Sequence, residues 1–232
     1  MAKLVHGIHP SMSTYAALTT NPVRLDLIEP AIGPLMNKID GLRRRLIAAG
    51  IQDSDGRHAS LSGMEQVLAG IMLTFHAIAG CHLTPPRTFD QVLESFDRCL
   101  TVPPKMALEL AATHWCRSLL TLFHFKLDVL CQDLLTALGK APGKSGFGQN
   151  IDALIKAITI PDPGSARDRL RTITAIRNTL HNNGIHRDSN FSITIDSISF
   201  EFKQNMPVTC ASLGHILTGL AASIDVVDSI LF

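Results

Sequence analysis

The run Ile176-Arg177-Asn178-Thr179-Leu180-His181-Asn182-Asn183-Gly184 places a guanidinium and an imidazole one helical turn apart, with amides around them, where a helix should end. An imidazole of ordinary pKa, about 6.5, can accept a hydroxyl proton or protonate a leaving oxygen near neutral pH. Arginine stays charged and presents a planar fork of donors to phosphate oxygens. The chemistry this pair suits is phosphodiester cleavage with the RNA 2′-hydroxyl as nucleophile, needing no metal and no cofactor. Arg177 and His181 are the candidate catalytic residues, and Asn178, Asn182, Asn183 and Arg171 are candidates to grip substrate.

Placed on a helical wheel at about 100° per residue, Leu170, Ile173, Ile176 and Leu180 share one arc and form the expected buried stripe. Arg177 and His181 fall at its border, with Thr174, Arg167, Asn178 and Arg171 continuing outward. A border residue can be partly desolvated while its polar tip reaches a groove. The same run also has a purely structural reading. A bare Arg-x-x-x-His arises easily by chance in a chain with 10 His. Asn-Asn-Gly is good C-cap chemistry, and His or Arg in a last turn favours the helix dipole with no further purpose.

The string Arg177-Asn178-x-x-His181-Asn182-Asn183-Gly184, late in an all-helical chain, resembles the signature region of the HEPN superfamily. That resemblance implies a small helical bundle, RNase activity of the kind found in toxin-antitoxin, antiphage and RNA-processing systems, and a homodimer in which two copies of the motif face one cleft. It implies Arg177 as catalytic arginine, Asn178 as its polar neighbour and His181 as catalytic histidine. Three residues separate Arg177 from His181, fewer than the family's usual spacing, and eight separate Arg177 from His186. The alternative is a non-catalytic helical binding or regulatory module with a degenerate motif, bound to a protein or nucleic acid partner.

The elements that must position these residues are well punctuated. Residues 1–20 read as an irregular arm, residues 21–100 as helices packing on the bundle, and residues 101–232 as the HEPN-like bundle itself. Asn21-Pro22 predicts one helix start, and Pro34 a second leading into Leu35 to Ala49, closed by Gly50. Ser62-x-x-Glu65 and Thr88-x-x-Gln91 are capping-box patterns for helices at 63–80 and 89–99. Pro103-Pro104 opens the longest helix, to Leu138, which at 1.5 Å per residue spans about 50 Å. A Gly/Pro/Lys loop from Gly139 to Gly148 leads to a helix at 149–159, and Asp162-Pro163 caps the helix of the Arg/His run. Alternation around Asp196-Ser197 predicts a hairpin within 191–203, and Thr209 to Leu231 an amphipathic last helix. The fold class expected is mainly α, a helical bundle with one small β-hairpin before the C-terminal helix.

Composition narrows the partners. Lys plus Arg (21) nearly equals Asp plus Glu (20), so no global field draws the protein onto nucleic acid or an anionic membrane. One Tyr and one Trp argue against a multi-aromatic single-strand platform. The five cysteines, odd in number and scattered through apolar stretches, read as reduced core residues of a cytoplasmic protein. The N-terminus lacks secretory-signal features, and Leu213 to Phe232 carries Asp225 and Asp228, so no membrane segment is expected.

Three further clusters stand out. Arg117, Thr121, His124, Asp128 and Cys131 share one face of the long helix, either solvated or, through His124, Asp128 and Cys131, a metal patch. The segment Leu138 to Ser145 invites a phosphate-loop reading but fails on glycine spacing and on the helix that precedes it. Arg43-Arg44-Arg45 is a solvated face or a small RNA patch.

Overall fold

Apolar periodicity and proline and aspartate caps produce a mainly α-helical fold with one small antiparallel sheet. The computed structural model describes residues 25–83, 104–143 and 146–231. Its elements are α1 (Leu25–Ala48), α2 (Gly56–Leu83), α3 (Pro104–Ala137), α4 (Phe147–Ala157), α5 (Pro163–His181), β1 (Phe191–Ile195), β2 (Ile198–Phe202) and α6 (Leu213–Ile230). The expected arm at 1–20, the Asn21-Pro22 start and the short helix at 89–99 lie outside the described residues.

Pro34 does not begin a helix. α1 runs unbroken through Pro30 and Pro34. Proline inside a helix costs about 3 kcal/mol through a lost hydrogen bond and a clash with the carbonyl four residues back. The stripe Ala31, Ile32, Leu35, Ile39, Leu42 and Leu46, all buried, offsets that cost at about 1.5–3 kcal/mol for each large side chain. The capping-box start predicted at Ser62 is likewise displaced. α2 begins at Gly56, where the Asp55 carboxylate accepts the Arg57 N–H at 2.9 Å. Glu65 pairs with Arg43 instead, at 2.6 Å. A Cβ on Gly56 would meet the Asp133 carboxyl group, so α2 passes close to α3 at this glycine.

α1 packs on α2 and α6, α2 on α3, α3 on α4 and α5, and α5 on α6. One continuous core results, holding Ile39, Leu61 and Met64 together with Phe123, Leu127, Ile173, Ile216 and Leu220. The sheet pairs Phe191 with Phe202 through Ile195 with Ile198, and Asp196 and Ser197 both take positive φ (48° and 66°), the backbone of a type I′ turn. Its inner face, Ile195, Ile198, Phe200 and Phe202, closes the end of the core. α6 starts at Leu213, later than Thr209, because the Ser212 side chain caps it. By length and composition α6 could cross a membrane, but 72% of that stretch is buried within the protein.

Candidate functional site

α5 begins where predicted. The Asp162 side chain accepts from the Ser165 N–H at 2.9 Å, with Pro163 in the first helical position. Leu170, Ile173 and Ile176 are fully buried, and α6 approaches closely enough that a Cβ on Gly219 would strike the tip of Ile173. This packing fixes the helix rotation and turns Arg177 and His181 away from the core.

Arg177 is half-buried at the border of the stripe. Its Cζ lies 6.0 Å from the centroid of the Phe125 ring, and Nη1 donates to the Asn178 side-chain oxygen at 3.2 Å. Its Nε is buried with no hydrogen-bond partner. No carboxylate among the described residues pairs with this guanidinium, whereas Arg43, Arg44, Arg45, Arg57 and Arg167 each meet one. His181, one turn later, is exposed.

The helix closes through its backbone. The N–H of Asn182 bonds to the carbonyls of Asn178 and Thr179 at 3.0 Å, and that of Gly184 to Thr179 at 2.9 Å. Asn183 (φ 55°) and Gly184 (φ 81°) supply the left-handed turn. The Asn182 and Asn183 side chains are exposed beside His181, as is Arg171 about three turns earlier. His186 is a structural residue: it is 2% exposed, its Nδ1 lies 3.3 Å from Thr179 Oγ1, and its Nε2 donates to the Ser189 carbonyl at 3.0 Å.

A residue outside the Arg/His run completes the cluster. His124, on α3, is 5% exposed, its Nε2 is 3.4 Å from Thr174 Oγ1, and its ring stands edge-on to Phe147 of α4 at 4.6 Å. Burial, reinforced by the charge of Arg177 and opposed by Asp128, pushes its pKa down to about 4, and His181 adds a smaller effect in the same direction as Arg177. His124 is therefore neutral at pH 7. Asp128, one turn on, accepts from the buried Asn150 amide at 3.1 Å, and the Asn150 oxygen accepts the Gly143 N–H at 2.8 Å. The face of α3 that reads as solvated is in this stretch a seam against α4 and α5. The sequence signal for it was present in the four-residue spacing of His124 and Asp128, but which helix covers them is a tertiary fact.

Two other sequence readings change. Cys131 is fully buried, with its thiol pushed up by desolvation, and Asp128 is engaged with Asn150, so His124, Asp128 and Cys131 do not converge. Among the described residues no group of three or more His, Cys, Asp or Glu could hold a metal ion. Arg43, Arg44 and Arg45 are each neutralised by a carboxylate, of Glu65, Asp40 and Asp228 respectively, and do not form a free basic patch.

No family model, curated protein or solved structure matches this chain. The functional argument therefore rests on the geometry around Arg177, His181 and His124.

Proposed function

We propose that this chain is a HEPN-like protein that cleaves RNA without a metal ion, in a toxin-antitoxin or antiphage setting in the cytoplasm. Arg177 holds the scissile phosphate and stabilises charge on its oxygens. His181 moves the proton to or from the reacting oxygen. Asn178, Asn182, Asn183 and Arg171 lie where they can hold phosphate or ribose of the flanking nucleotides.

The observation that carries this reading is the state of Arg177. A half-buried guanidinium beside an aromatic ring, with a buried Nε left without a partner and no neutralising carboxylate among the described residues, is costly for a purely structural residue. A phosphate would supply the missing charge and acceptor. His181 beside it is open to solvent and to substrate.

Homodimerisation is part of the proposal. Leu122, Phe125 and Val129 are about half exposed and follow one another at helical spacing along α3, the same stripe on which Arg177 rests through Phe125. A second copy covering that stripe would set two Arg177/His181 pairs in one cleft.

One observation favours a second reading. The Asn-Asn-Gly segment closes α5 by bonding the carbonyls of Asn178 and Thr179 through its backbone N–H groups, a capping role that needs no substrate. A non-catalytic module that uses the α3 stripe to bind a protein would keep all of these features. Incubating the protein with mixed RNA in EDTA, beside His181→Ala, separates the two: wild-type cleavage lost in the variant supports the nuclease, and no cleavage by either protein favours the module.

A further inference from the structure

Nδ1 of His124 and Nε of Arg177 are both buried and both lack a hydrogen-bond partner. Burying such a group unpaired is costly, so two at one helix contact ask for an explanation. Arg43 Nε is also unpartnered, but its guanidinium is already joined to Glu65. Among the described residues Arg177 has no such carboxylate.

Thr174 bears on which of these atoms are donors. Thr172 and Thr179, on the same helix, give their hydroxyl protons to the carbonyls four residues back, at 2.8 Å in each case. Thr174 Oγ1 instead lies 3.4 Å from His124 Nε2. With that hydroxyl donating, Nε2 is the acceptor of a neutral imidazole, and the ring proton sits on Nδ1. Both orphaned atoms are then N–H donors without an acceptor.

We infer that His124 Nδ1–H and Arg177 Nε–H both donate to a phosphate group held between α3 and α5. This deepens the reading of Arg177 as a phosphate-binding residue and rests on it. It places the anion on the α3 side of the guanidinium and adds His124 as a binding residue. Arg177 lies over the half-exposed Phe125 ring, so its side chain can swing out to admit the anion. The charged groups facing His124 are Arg177 and His181 from α5 and Asp128 from α3 itself, while α4 contributes the uncharged Phe147 and Asn150. Asp128 is occupied by the Asn150 amide, which leaves Arg177 as the dominant charge at the anion.

The test is a titration of the full-length, 15N-histidine-labelled protein with inorganic phosphate near neutral pH, followed by NMR of the ring nitrogens. The expected result is a Nδ1–H tautomer for His124, a shift of its Nδ1 resonance on phosphate binding, and a rise of its pKa when phosphate is bound. His124→Phe, which keeps the aromatic edge on Phe147, should weaken phosphate binding about 10-fold or more. Should that variant not fold, the wild-type titration decides alone. A Nε2–H tautomer, or ring resonances unmoved at saturating phosphate, overturns the inference. RNA cleavage without any response of His124 to phosphate would remove the inference and leave the nuclease reading. A phosphate response without cleavage would do the reverse.

Discussion

Thr174 Oγ1 lies 3.4 Å from His124 Nε2, and this contact ties the helix of Arg177 and His181 to the middle of α3. It holds a buried, neutral imidazole beside an unneutralised guanidinium. The predictions that follow test the pieces of that arrangement.

His181→Ala should abolish RNA cleavage, by about 10²–10⁴-fold as expected for loss of a general acid or base. Because His181 is exposed, its removal should change stability by no more than about 0.5 kcal/mol. Cleavage assays paired with urea denaturation check both halves.

Acid should destabilise the protein through His124. Its folded pKa, about 4, lies below the ordinary value of 6.5, so the unfolded chain binds more protons between those values. Stability from this group is full above about pH 6.5 and declines as pH falls toward 4, by an amount of order 3 kcal/mol. Burial depresses the His215 pKa as well, with the same sign. His124→Phe should flatten the decline in urea midpoint between pH 7 and 5 relative to wild type.

Gly219→Val should destabilise by about 1–3 kcal/mol, since any Cβ at this position meets the tip of Ile173, and a branched side chain must push α5 and α6 apart. Chemical denaturation reads the loss. A shift of Ile173 in this variant should also lower cleavage, because α5 carries Arg177.

Asp225 accepts from Lys38 of α1 and lies 4.0 Å from Arg169 of α5, so it links three helices. Burial already lowers the Lys38 pKa, with the Asp228 charge opposing. Asp225→Ala should cost about 1 kcal/mol or less at low salt, and the difference from wild type should shrink in 1 M NaCl.

Leu122→Glu combined with Val129→Glu should leave a folded monomer, because both positions are about half exposed on the stripe assigned to the second copy. Sedimentation of wild type as a dimer and of the variant as a monomer is expected. Identical oligomeric states would remove the homodimer from the proposal.

Much of this fold is legible in the sequence. The Asp162-Pro163 cap, the glycine after His181 and the alternation around Asp196-Ser197 act through neighbours in the chain, and each marks its element in the structure. Errors arise where distant packing overrides local chemistry. Pro34 stays inside α1 because a buried stripe holds the helix through it, and α2 starts at Gly56, ahead of the Ser62 capping box, where Asp55 accepts the Arg57 N–H. The border position of Arg177 follows from periodicity on α5. That its neighbour is a buried histidine from a helix 50 residues earlier does not, since nothing local to Thr174 points to His124.

The central claim is that Arg177 and His181 form a metal-independent RNA-cleaving site. Its most direct measurement is incubation of purified protein with a mixed RNA substrate in EDTA, wild type beside His181→Ala. Cleavage by the wild type and none above background by the variant is the expected result. Equal cleavage by both proteins would contradict the assignment of His181, and cleavage by neither would contradict the nuclease reading.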